Sequence, residues 1–265
     1  MFSTFAVALS ALALAATPVT AAAAAAPAVL ATSVAPATLW GPPAICHRIE
    51  IGDARSLPWG DGAFELDRGY DRAQLVPDTV ALLDGSDDLL VHMETLRRAT
   101  ILITGLATPH DPGPKQLRAE ASALVDALKA RLGDLRVTAE HTHAGRDRVA
   151  RALFDVGYLS AALSQARSGL GGADGPAQLV EAATELSGDA AAQLGVVLAT
   201  CGHGTPDAHT WQHLDKLFDL VEDRGDPWSV RVAENATFIV GPFLGTGASD
   251  RDALAALAHE RHQGV

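Results

Sequence analysis

The sequence predicts an all-α protein, either a helical bundle or a short α-solenoid of antiparallel helix pairs. Three observations carry that expectation. From Pro77 onward, apolar residues recur at spacings of three, four and seven, which is the period of one helix face. The stripes are bracketed by helix-starting Ser, Thr or Asp and by helix-stopping Gly. Period-two alternation, the signature of a half-buried strand, is confined to two short segments.

The first 47 of the 265 residues contain no Lys, Arg, Asp or Glu. Phe5 to Ala16 is an apolar run of 12 residues, broken by Pro18 and followed by the small residues Val19-Thr20-Ala21. That is the layout of a secretory signal over residues 1–21, although no Lys or Arg precedes the apolar run. The run is shorter than the ~20 residues that span a bilayer, so no stable membrane insertion is expected once the signal is removed. Residues 22–44, mostly Ala, Pro, Val and Thr, offer little side-chain bulk to bury and read as a disordered linker. Residues 45–265 are then expected to form a single helical domain, exported to a periplasm or out of the cell.

The helices follow in order. Ser86-Asp87-Asp88 opens one with Leu89, Met93, Leu96 and Ile103 on a face, and Gly105 ends it. A second runs from about Lys115 to Leu132 with Gly133 as its stop, and a third from about Arg146 to Arg167. Ala177 to Leu186 and Asp189 to Thr200 make two more. Thr205-Pro206-Asp207 starts a helix that buries Trp211, Leu214, Phe218 and Val221. Asp226-Pro227 repeats that signal, and Ser249-Asp250 caps a last helix ending near His259. The total is about eight helices, with no fixed repeat period. The two alternating segments, Ile45 to Ile51 and Leu135 to Ala139, are candidates for a minor two-stranded ribbon. Leu57, Trp59, Phe64 and Leu66 are expected to pin an irregular connector onto the helices.

Net charge excludes one class of partner. The chain carries −12 with no Lys/Arg cluster, which is the reverse of what a phosphate backbone requires, so no nucleic acid is expected. Glu94 with Arg97 and Arg98, and Asp147 with Arg151, read as solvated pairs at helical spacing, worth about 0.2–0.5 kcal/mol each.

Cys46 and Cys201 are the two cysteines. In an oxidising compartment the favoured reading is a Cys46–Cys201 disulfide closing a loop of about 155 residues, worth at most roughly 4–5 kcal/mol. Two buried free thiols are the alternative. Cys46-His47 with Cys201-Gly202-His203 also forms a chemically sound zinc set, but the adjacency of Cys46 and His47 argues against it.

Ten histidines are unevenly spread. His209 and His213 lie four apart on one flank of a helix, with His203 just before it. His141 and His143 share a face if their segment is a strand. These five, with Glu140 or Asp207 as a carboxylate partner, are the candidate metal ligands for a transition metal such as zinc. His259 and His262 fall in a C-terminus expected to fray and receive no role. There is no Gly-x-Ser-x-Gly, no phosphate loop ending in Gly-Lys-Ser/Thr, no His-Glu-x-x-His and no Cys-x-x-Cys-His. Asn235-Ala236-Thr237 matches a glycosylation sequon but lies inside a predicted helix. The functional expectation is an exported scaffold or interaction protein with an unidentified protein partner and no cofactor. The alternative is a metal-binding protein or metalloenzyme built on the histidines.

Overall fold

Aspartate starts most of these helices. The computed structural model describes residues 42–60, 67, 69–106, 113–139, 142–167, 169–201, 206–244 and 250–264. Among them are ten α-helices and no strand: α1 (Pro43–Cys46), α2 (Leu75–Asp84), α3 (Leu89–Thr104), α4 (Pro114–Thr138), α5 (His143–Ala166), α6 (Gly175–Glu185), α7 (Ala190–Thr200), α8 (Ala208–Arg224), α9 (Pro227–Val240) and α10 (Arg251–Gln263). Asp88, Asp189, Asp207, Asp226 and Asp250 each accept a backbone N–H in the first turn of α3, α7, α8, α9 and α10. A carboxylate there satisfies orphan donors and complements the positive end of the helix dipole. Asp88, not Ser86, is therefore the cap of α3, and Asp207, not Thr205, is the cap of α8. Gly105 and Gly225 end α3 and α8 at φ +67° and +59°, where a side chain would be strained.

The choice between bundle and solenoid is settled by α3. In a solenoid each unit touches only its neighbours in sequence. Here α3 packs on α1, α2, α4, α5 and α7, and all sixteen of its residues are buried. The protein is a helical bundle with α3 at its centre. None of the described helices is long and apolar enough to cross a membrane.

Neither expected strand forms. Leu135 to Thr138 is the last turn of α4, because Leu135 also continues the helical stripe of Leu117, Ala121, Leu124, Leu128 and Leu132. Gly133 stays helical instead of stopping it, a cost of only about 0.5–1 kcal/mol in a helix of 25 residues. At the other segment, α1 takes Pro43 to Cys46, and the chain then runs as an irregular strap over α3. Pro43 and Ala44 are buried, so the folded body begins before the expected end of the linker at residue 44. Ile45, Ile49, Ile51 and Leu57 are buried beneath the strap, and Trp59 is half-buried. Phe64, Leu66 and residues 1–41 lie outside the described residues.

Helices α5 and α6 pack antiparallel at very close range. A Cβ on Gly157 would stand 2.8 Å from the Leu179 nitrogen and 2.9 Å from the Gly175 carbonyl oxygen. Both contacts are backbone, which has no rotamer to yield. Gly157→Ala should therefore lower unfolding free energy by about 1–3 kcal/mol. Gly133→Ala, with nothing within 4 Å of the added methyl, should raise it by about 0.5–1 kcal/mol. Urea titration of the two variants against the parent measures both, and equal effects would contradict the packing described.

Candidate functional site

Two charged clusters lie inside the bundle. Glu94, fully buried on α3, accepts hydrogen bonds from Arg97 Nε (2.7 Å) and Nη2 (2.9 Å), from Arg98 Nε (2.7 Å) and from the Ile49 amide (3.0 Å). Arg97 Nη1 donates to the Ile45 carbonyl and Arg98 Nη1 to the Leu57 carbonyl. Trp59 stacks on both guanidinium groups at 5.3 and 5.6 Å. The sequence spacing is right for these ion pairs, but they are not solvated surface pairs. They are the buried clamp that holds the strap. Arg151, read as the partner of Asp147, instead bonds Asp87 at 2.6 Å.

The second cluster is His92 on α3. Its Nδ1 lies 2.7 Å from Asp155 Oδ1 and its Nε2 2.9 Å from the Ser86 carbonyl, both acceptors, so both ring nitrogens carry protons. Asp155 also receives Arg131 Nη1 at 2.8 Å. Burial pulls the His92 pKa down, but the Asp155 charge and the two hydrogen bonds outweigh it and the net shift is upward. The pair resembles a catalytic Asp–His couple, yet both side chains are 0% exposed, out of reach of any substrate. It locks α3 to α5.

Cys46 and Cys201 are free thiols, not a disulfide. The tie foreseen between the strap and the end of α7 exists, but an amide makes it. Gln165 Oε1 accepts from the Ala44 nitrogen (3.2 Å), while its Nε2 donates to the carbonyls of Leu198 (2.8 Å) and Ala199 (2.9 Å). With Asn235 bonding both the N–H and the C=O of Glu50, the strap is anchored without sulfur. Asn235 is thus occupied and only 3% exposed. Burial pushes the Cys46 thiol up, partly opposed by Arg97, and pushes Cys201 up to about 12, with Asp207 adding to the effect.

Of the candidate metal ligands, the described residues include His143, His209, His213 and Asp207. His203, His141 and Glu140 lie outside the described residues. His143 is the first residue of α5, not part of a strand; its side chain is 84% exposed and stands 3.6 Å from Asp147. His209 and His213 lie on one flank of α8, as the spacing requires, with His209 exposed and His213 half-buried. His213 Nδ1 sits 2.7 Å from Gln193 Oε1, and burial, then Lys216 and His209, lower its pKa. Asp207 is occupied as the cap of α8, receiving the Thr210 amide and hydroxyl at 2.8 Å each.

The start of α8 meets the end of α7 through Thr210 and Thr200 (2.9 Å), which is also where Gln165 of α5 bonds. At about 1.5 Å per residue, His143 stands roughly 33 Å from Gln165 along α5. His143 therefore lies at the end of α5 far from the start of α8, and no group of three or more metal-ligating side chains occurs among the described residues. His259 and His262 have a place after all: α10 is helical to Gln263, and both rings reach Asp215 of α8, at 3.3 and 2.8 Å.

The feature best suited to binding was not foreseen. A cleft of about 520 Å³ opens between the end of α4, the start of α5 and the end of α6. Its floor is Val149, Ala150 and Leu153; its rim carries Arg136 and Arg146 from α4 and α5, and Glu181 and Glu185 from α6. The volume lies within the range of about 300–1,000 Å³ typical of ligand sites. A second cavity of about 480 Å³ lies between α8, α9 and α10. Two exposed hydrophobic residues neighbour lining residues in sequence without lining the cleft themselves. Val137, 85% exposed, lies on α4 between the lining residues Arg136 and Ala139, and Val180, 37% exposed, is next to Glu181. No family model, curated protein or solved structure matches this chain, so the site is read from its own chemistry.

Two measurements test the buried groups. Because the thiolate is the reactive form, native protein should react slowly with a disulfide reagent and release two thiols per chain once denatured without reductant. Fewer than two would contradict the free-thiol state. For His92 the folded pKa is raised above the unfolded value near 6.5. Its contribution to stability is then complete below about pH 6.5 and is lost as pH rises through the folded pKa. Urea midpoints followed upward from pH 6 should fall in the parent, whereas His92→Gln should start lower and fall less; parallel profiles would contradict the assignment.

Proposed function

We propose that the protein is exported and acts as a helical interaction protein, without chemistry of its own, that receives a protein partner in the α4–α5–α6 cleft. The cleft carries this reading: an apolar floor and a rim with two cations and two carboxylates. Interfaces combine such an apolar centre with a polar rim. Support for a non-catalytic role comes from the interior, where Glu94, Arg97, Arg98, His92, Asp155 and Arg131 all bond one another or the backbone. Export rests on the uncharged N-terminus and its 12-residue apolar run.

A photo-crosslinking residue at Arg136, an exposed residue of the cleft lining, introduced in the native host, should give an adduct. Val149→Asp should abolish that adduct while shifting the melting temperature by only a few degrees, since Val149 is half-buried. N-terminal sequencing of the exported chain should begin at Ala22. An adduct insensitive to Val149→Asp would overturn the cleft as the docking site.

A further inference from the structure

We infer that the segment this cleft receives is a cationic amphipathic helix of the partner, laid along α5 with its basic edge toward α6. The inference rests on the cleft being the docking site and adds the chemistry of what fills it. Helix α5 packs against both α4 and α6. It supplies the floor, from Gly145 through Val149 and Ala150 to Leu153, while α4 and α6 supply the walls. At about 1.5 Å per residue that floor runs roughly 12 Å, about two helical turns. An extended segment suits it poorly. Unpaired backbone N–H and C=O groups would lie over an apolar floor, and walls made of helices offer no strand edge to pair them. A helix satisfies its own backbone and presents an apolar stripe at i, i+3, i+4 and i+7.

The walls choose the sign of the charge. Glu181 and Glu185 are exposed on α6, four residues apart and on one face of it. Like charges at that spacing repel. Among the described residues neither carboxylate has an ion-pair partner. A lysine or arginine lying along α6 would neutralise both. Arg146 already interacts within this chain, and Arg136 on the opposite wall is one cation facing two carboxylates. The net charge of −12 adds a long-range field that draws a cationic segment in.

The test uses the purified full chain and two fluorescent model peptides of about 14 residues, roughly four helical turns. Both carry the same leucine stripe; one is edged with lysine, the other with glutamate. The lysine peptide should bind and the glutamate peptide should not, and salt should weaken the binding. Glu181→Lys/Glu185→Lys should weaken it about tenfold or more, and Arg136→Glu should strengthen it. Each variant should keep a melting profile close to the parent's. Val149→Asp separates docking from simple attraction to an acidic surface. It adds a negative charge but spoils the floor, so it should weaken the lysine peptide. Tighter binding to Val149→Asp, indifference to the Glu181/Glu185 reversal, or no binding of the lysine peptide would overturn the inference. If the lysine peptide fails while the Arg136 adduct forms and needs Val149, the cleft takes a partner of another chemistry. If both fail, the cleft reading falls as well.

Discussion

The rest of the structure hangs on how Glu94 is neutralised. A carboxylate at the centre of a helical bundle is untenable alone, since removing a charge from water costs several kcal/mol even after relaxation. Here Arg97 grips Glu94 with two parallel hydrogen bonds, Arg98 adds a third and the Ile49 amide a fourth. The two arginines in turn need acceptors, and they find them in the carbonyls of Ile45 and Leu57. Breaking such a buried cluster by removing one partner typically costs about 3–5 kcal/mol. The strap is thus fastened by α3's ions, and the ions are satisfied by the strap.

That mutual dependence explains why α3 can be buried on every side. A helix carrying His92, Glu94, Arg97 and Arg98 has too many charges for an ordinary core. Each is matched by a neighbour: the strap on one side, Asp155 of α5 with Arg131 of α4 on the other. The apolar remainder of α3 then joins Phe154, Tyr158 and Leu159 of α5 in a single core cluster. The glycines of α5 and α6 draw those two helices closer than side chains would permit.

The arrangement also separates two ends of the molecule. The chain enters the bundle where Gln165 of α5 bonds Ala44 and the end of α7. The cleft lies at the other end of α5, around Gly145 to Leu153.

The sequence by itself determined the helical class and most helix starts, because capping and 3.6-residue periodicity are local chemistry: Asp226-Pro227 opens α9 in any surroundings. It also placed His209 and His213 on one flank of α8 and set Glu94 within reach of both arginines. Only the tertiary structure decided which of those groups are buried. Glu94 has the same spacing to Arg97 and Arg98 whether water or the strap covers it, and Leu135 to Ala139 alternates whether or not a second strand is at hand. Likewise, two cysteines in an oxidising setting point to a bond, but Gln165 provides the tie instead. The cleft was illegible for the same reason. Val149 and Leu153 belong to an apolar stripe like any other, and what leaves them open is where α4 ends and α6 turns, a property of how helices meet rather than of any one segment.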